Sequence, residues 1–186
     1  MIGIDEVGRG AFAGPLLVCA IRTKEKLGIN GLKDSKKLTP LKRQKITIQI
    51  YNSKTDIGFG WVSANDIDNL GITESLKLAC LRALKEINAT KTEPIILDGN
   101  VNYISEYSCK TIIKADDSIA EVSAASIVAK CTRDLHMINL SKKYSHYGFD
   151  KNKGYGTKLH MDAIIKYGLT AEHRRLFVKK LLTNYR

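Results

Sequence analysis

Nowhere does the chain carry an apolar run long enough to cross a membrane. The longest nearly apolar stretch, Ala11 to Ile21, is interrupted by Gly14 and Pro15 and reaches barely half of the roughly 20 residues that a spanning helix needs. Nor does it read as a secretory leader, because Asp5 and Glu6 precede it against only Arg9, where a leader wants a positive start. Cysteine is scarce: Cys19, Cys80, Cys109 and Cys131 form no CxxC pair and have mostly apolar neighbours, so buried thiols in a reducing cytoplasm are expected. His136, His146, His160 and His173 lack the short spacings of a zinc site. No internal repeat or low-complexity linker divides the 186 residues, and a hydrophobic content of 44% is too high for disorder. A soluble globular protein of one domain, with at most a small annex, is expected.

Negative charge is in the minority. Lys and Arg number 30 against 19 Asp and Glu, giving a formal charge of +11. Residues 22–45 contribute +7 and residues 142–186 contribute +8, so the remainder sums to −4. Two separated basic blocks around a slightly acidic scaffold predict a positive face with a polyanionic partner, although lysine-rich surfaces also serve solubility alone. Tyr144, Tyr147, Phe149 and Tyr155 are interleaved with lysines, a pattern that suits stacking beside a phosphate track and equally suits packing.

Hydrophobic patterning gives the elements. Ile2–Asp5 and Leu16–Ile21 read as strands separated by glycine-rich turns. Thr39 and Pro40 open a helix running toward Asn52. In a third strand, Asp56–Val62, Gly58 and Gly60 leave one face bare for close approach of a neighbour. Leu76, Cys80, Ala83 and Ile87 mark a helix over Thr73–Asn88. Residues 94–98 then read as a strand buried on both faces, Cys109–Lys114 as another strand, Ser118–Leu140 as a long helix, and Thr157–Tyr167 and the segment after Thr170 as two closing helices. The order predicts an α/β layered sheet with helices on its faces.

Acidic residues sit where predicted strands end. Asp5 and Glu6 close the first strand, Asp98 closes the apolar run Ile95–Leu97, and Asp116 follows Ile112 and Ile113. Two carboxylates about 4 Å apart repel by roughly 4 kcal/mol at an effective dielectric of 20, so four gathered at one place need cations. Two divalent ions balance them, and oxygen-only donors favour Mg²⁺ or Mn²⁺ over zinc. Each residue also has a plain alternative: Asp98-Gly99 as a turn, Asp116 or Asp117 as a helix cap, Asp5-Glu6 as an exposed strand end.

A longer pattern runs through these residues. Gly3-Ile4-Asp5-Glu6-Val7-Gly8-Arg9-Gly10 with Ala13-Gly14-Pro15, then Asp34-Ser35-Lys36-Lys37-Leu38, Leu97-Asp98-Gly99, Lys114-Ala115-Asp116, Ser123 to Lys130 with Arg133-Asp134, Tyr147-Gly148-Phe149 and Lys153-Gly154-Tyr155-Gly156-Thr157 follow in order. Together they resemble the ribonuclease HII family over Ile2 to Phe177. Arg9 within Gly-Arg-Gly resembles that branch rather than ribonuclease HIII, where lysine is usual. Departures are Ser145 for proline, Ala115 for glycine and Leu176 for serine, none at a catalytic position.

The resemblance implies a ribonuclease H-like mixed sheet, a three-stranded antiparallel meander plus parallel strands, flanked by helices. It implies a catalytic domain over 1–140 and a helical C-terminal part over 141–186 that carries substrate contacts. It also implies hydrolysis of the RNA strand of RNA–DNA hybrids and cutting at single ribonucleotides within duplex DNA, by two Mg²⁺ or Mn²⁺ ions, leaving 5′-phosphate and 3′-hydroxyl ends. Asp5, Glu6, Asp98 and Asp116 take the places of the metal-binding carboxylates. Gly8, Arg9 and Gly10 match the segment that contacts the ribose 2′-hydroxyl, Tyr155 matches the reader of the RNA-to-DNA junction, and Lys36 matches a phosphate contact. A cytoplasmic monomer is expected, with no membrane partner. The rivals are a non-catalytic nucleic-acid-binding module, which leaves the carboxylates unexplained, and another nuclease of similar fold such as a junction resolvase.

Overall fold

Alternation along the first segment decides how the protein is layered. In the computed structural model, which describes residues 1–25, 27–32 and 38–182, β1 (Ile2–Val7) sends Ile2 and Ile4 to one face of the sheet and Gly3 and Asp5 to the other. β2 (Leu16–Thr23) and β3 (Thr55–Val62) continue antiparallel from β1, while β4 (Ile95–Asp98) and β5 (Cys109–Ile112) run parallel to it on the opposite side. Among the described residues the sheet therefore has the order β3-β2-β1-β4-β5. This is the expected meander joined to parallel strands.

Helices cover both faces. α1 (Pro40–Tyr51) starts where Thr39 accepts from the Lys42 N–H at 3.3 Å. α2 (Ala64–Leu70) and α3 (Ile72–Glu86) follow β3. α4 (Ala120–Lys143) packs against β1 and β2, and α5 (Phe149–Asn152), α6 (Lys158–Tyr167) and α7 (Arg175–Leu182) close the chain. Ile2, Ile4, Val18 and Ala20 form one core with Leu76, Ala79, Ala83 and Leu84 of α3. Leu17, Cys19 and Ile21 form a second with Ile46 and Ile50 of α1 and Ala124 to Ala129 of α4.

Small residues permit this closeness. A Cβ on Gly58 would run into the Ala83 carbonyl and one on Gly60 into the Ala79 carbonyl, so α3 lies on the bare face foreseen for β3. A Cβ on Gly3 would likewise meet the α4 backbone at Glu121 and Val122.

Several expectations need correction. α2 has a signal the reading passed over, Ser63, whose side chain accepts from the Asp66 N–H at 3.1 Å. β4 is not buried on both faces: Ile95 and Leu97 are covered, but Ile96 is half-buried because α4 lies over β1 and β2. β5 stops at Ile112, and Ile113 is 70% exposed. The long helix runs through residue 140 to Lys143. Tyr147 and Phe149 are buried with Met137, Met161 and Ile164 in a third core and Tyr144 packs against it, so these aromatics are packing residues. Cys19 and Cys80 are buried, whereas Cys109 and Cys131 are half-buried, and all are free thiols. Among the described residues no helix is long and apolar enough to cross a membrane.

Gly60→Ala is expected to lower stability by about 1–3 kcal/mol through overpacking, whereas Gly28→Ala, with nothing within 4 Å of its added Cβ, should stay within about 0.5 kcal/mol. Urea denaturation of both variants checks this. Equal stabilities would mean that α3 does not press on β3.

Candidate active site

Strand register brings the first carboxylates together. The last paired residues of the parallel strands β1 and β4 are Ile4 and Leu97. The next residue on each is acidic, Asp5 and Asp98, and adjacent strands lie about 4.8 Å apart. Glu6 follows on β1. Asp116 arrives from the 3₁₀ turn Ala115–Asp117 after β5, where Lys114 takes a left-handed conformation (φ 59°) and Ala115 donates its N–H to Asp98 Oδ1 at 2.7 Å. Ser123 of α4 donates to the Asp116 carbonyl. Asp116 is buried and Asp117 exposed, which separates the two neighbours.

All four carboxylates line one cleft of about 390 Å³. Gly8, Arg9, Gly10 and Tyr155 line it too, so eight of the nine residues singled out from the sequence meet there. The ninth, Lys36, lies outside the described residues. Three further residues, Val7, Ser126 and Lys130, line the cleft without a role expected from the sequence. Lys130 donates to Asp134 at 2.7 Å, which steadies a cation at the edge of the cleft.

Electrostatics is adverse as the carboxylates stand. Burial first, then the charge of Glu6, holds the Asp5 carboxyl well above its ordinary range, against the lowering effect of Ser126. Glu6 is also raised by burial; Arg9, whose guanidinium lies 3.6 Å away, opposes this, and Asp98 adds to it. These groups fit a hard divalent cation by donor type, oxygen only, and by the crowding of like charge that a cation would relieve. Among the described residues, no three Asp, Glu, His or Cys side chains are arranged to hold an ion as they stand. The fit therefore rests on the shared cleft and its donor chemistry.

The glycine-rich loop between β1 and β2 is fastened from below. Arg133 of α4 and Arg174 are both fully buried, with no described carboxylate at ion-pair distance. Burial, then the neighbouring Arg133, pushes the Arg174 guanidinium down to about 9, so it is still a cation at neutral pH. The Arg133 guanidinium also lies 5.6 Å from the centre of the Tyr155 ring. Below Tyr155, the His160 Nδ1 donates to its carbonyl at 2.9 Å, and the His160 and His173 Nε2 atoms meet at 3.1 Å. Thr170 donates its N–H to His173 Nδ1 at 2.9 Å, so the chain is satisfied with both rings neutral. Burial, then His160, pushes His173 down to about 4. Sequence reading missed these groups, although Arg133 continues the buried α4 stripe Val122, Ser126, Ala129 at helical spacing, where a cation is out of place.

A mixed sheet of this order, with carboxylates gathered where its central parallel strands end, defines the ribonuclease H-like class of nucleases. The ribonuclease HII family profile matches residues 2–184. A ribonuclease HII of Prochlorococcus marinus (strain MIT 9215) is 44% identical over 184 residues, covering 96% of this chain and 89% of that one. The ribonuclease H2 of Pyrococcus horikoshii OT3 superposes with a TM-score of 0.77 at 26% identity, over 100% of this chain and 98% of that one. The ribonuclease HII of Archaeoglobus fulgidus, solved as a complex with PCNA, gives a TM-score of 0.80 at 23% identity, over 96% and 93% of the two chains. The chain belongs to the ribonuclease HII family. Its activity is the family's, endonucleolytic cleavage of the RNA strand in RNA–DNA hybrids.

Because the raised Asp5 carboxyl is penalised once ionised, its cost to the fold appears as pH rises above the unfolded value of about 3.9. Asp5→Asn should therefore melt higher than the wild type at pH 7 in chelator, by roughly 2–4 °C per kcal/mol of relieved repulsion, and the gain should vanish near pH 3. A wild type at least as stable at pH 7 would contradict the crowding.

Proposed function

We propose that the chain cuts both continuous RNA–DNA hybrids and single ribonucleotides embedded in duplex DNA, leaving 5′-phosphate and 3′-hydroxyl ends. The observation that carries this reading is the single cleft in which four carboxylates adjoin the Gly8-Arg9-Gly10 loop and Tyr155. Asp5, Glu6, Asp98 and Asp116 would hold two Mg²⁺ or Mn²⁺ ions. When bound, such a pair supplies Lewis acidity toward the attacking water and charge neutralisation at the departing 3′-oxygen.

The rest is done by the chain's own groups. The Ala115 N–H keeps the Asp98 carboxylate aimed at the cleft. Gly10, with open space around it, lets the backbone approach a sugar closely, while Gly8, with φ 85°, lets the loop close onto Arg133, whose side chain a Cβ there would strike. The 2′-hydroxyl is what distinguishes ribose from deoxyribose there. Arg9, half exposed, adds a charged contact, and the Tyr155 ring packs on the neighbouring sugar. Lys36, Lys130 and the basic blocks grip phosphates without reading sequence. In this reading residues 1–140 carry the chemistry and 141–186 the junction contact. We take the protein as a cytoplasmic monomer: no step of this reading calls on a second chain, and the thiols are free.

Asp98→Asn should lower Mg²⁺-dependent cleavage by about 10²–10³-fold while hybrid binding persists, and chelation should silence the wild type. The assay is a DNA duplex with one ribonucleotide, the cut mapped at nucleotide resolution. Near-normal turnover by the variant would remove Asp98 from the site, and undiminished cleavage in chelator would remove the metals.

A further inference from the structure

Two buried cations with no described carboxylate at ion-pair distance, beneath an acidic cleft, call for an explanation. Burying an unpaired guanidinium is costly unless its donors are all satisfied. Here main-chain carbonyls give each guanidinium nitrogen a partner. Arg133 donates to Pro15 at 2.8 Å, Ala13 at 3.2 Å and Lys153 at 2.9 Å. Arg174 donates twice to the Gly14 carbonyl, at 3.1 and 2.9 Å, and once to the Arg9 carbonyl, at 2.9 Å. Five of these six bonds fall on residues 9–15. The main chain around Arg174 is clamped to the same loop, with the Arg174 N–H donating to Phe12 at 2.7 Å and the Gly14 N–H to Glu172 at 2.8 Å.

The bond to Arg9 differs from the others in its position. Gly14 and Pro15 lie just before β2, but the Arg9 carbonyl belongs to the peptide unit shared with Gly10, at the cleft. That unit is trans, so its C=O and N–H point in opposite directions. With the carbonyl drawn inward to Arg174, the Gly10 N–H faces outward, where Gly10 lines the cleft. Among the described residues this N–H has no acceptor, whereas the neighbouring Ala11 N–H is spent on Gly8 at 3.3 Å.

We propose that Arg174 is a positioning residue for ribose selection: by holding the Arg9 carbonyl inward it fixes the Arg9–Gly10 peptide with its N–H free to donate to the 2′-oxygen of the bound ribonucleotide. Arg174 touches no substrate. The inference rests on the reading above that residues 8–10 meet the sugar.

A cycle between the protein side chain and the substrate hydroxyl tests it. Arg174→Lys keeps the buried charge and loses the fork, and Arg174→Gln removes the charge that burial penalises; one serves if the other folds poorly, as judged by thermal unfolding. Each is assayed on a duplex carrying one ribonucleotide and on the same duplex with a 2′-fluoro residue at that position, a poorer acceptor. The expected result is a kcat about 10- to 100-fold lower on the ribonucleotide substrate with KM within about threefold, and less than about threefold change on the 2′-fluoro substrate. Amide exchange in residues 8–12 should rise while the sheet core stays protected. Equal losses on both substrates, or unchanged exchange in residues 8–12, would overturn the proposal and leave Arg174 a structural residue. A wild type that cuts the ribonucleotide and 2′-fluoro duplexes equally would instead refute the reading of residues 8–10 as the sugar contact.

Discussion

Like charge held in one place by hydrogen-bond register is the constraint on which the rest depends. β1 and β4 are parallel, their pairing ends at Ile4 and Leu97, and each then presents a carboxylate at the same level. The sheet cannot separate Asp5 from Asp98 without breaking that pairing, and the Ala115 N–H holds Asp98 in place. Folding therefore works against electrostatics here, and the raised Asp5 and Glu6 carboxyls show the cost. Two hydrophobic cores, one on each face of the sheet, offset it.

The glycine-rich loop beside the carboxylates obeys the opposite logic. Its carbonyls are turned inward onto buried cations, Arg133 from α4 and Arg174 from the C-terminal segment. Residues more than 100 positions apart thus meet under a single turn. Gly154 adds its carbonyl as acceptor for the Phe12 and Ala13 N–H groups, at 2.8 and 3.1 Å, which couples the segment carrying Tyr155 to the same loop. A neutral His160–His173 chain ends on the Tyr155 carbonyl. Anionic, cationic and neutral polar layers are stacked within one small region, each satisfied differently.

Much of this was legible from residue order because the governing forces are local. Gly58 and Gly60 foretold a close helix, and α3 lies there. Thr39-Pro40 foretold the start of α1, and it begins at Pro40. Runs of carboxylates after apolar strands marked the cleft because strand ends leave the sheet together. What escaped notice depended on three-dimensional neighbours. Tyr147 and Phe149, set among lysines, are packed inside a third core, because the 3₁₀ turn 145–147 and α5 both lie against α4. Ile113 is apolar yet exposed, because β5 is an edge strand that ends one residue earlier. Arg174 falls within a basic block expected at the surface and Arg133 only within a motif, and the burial of both depends on carbonyls from a distant loop.

The most direct measurement is Mn²⁺ uptake by the purified protein, followed by the electron paramagnetic resonance signal of the free ion. The account predicts saturable uptake by the wild type and at least tenfold weaker uptake by the Asp5→Asn, Asp98→Asn double variant with its fold intact. Equal uptake by the two proteins would contradict it, because the carboxylates at the ends of β1 and β4 would then not be the cation site.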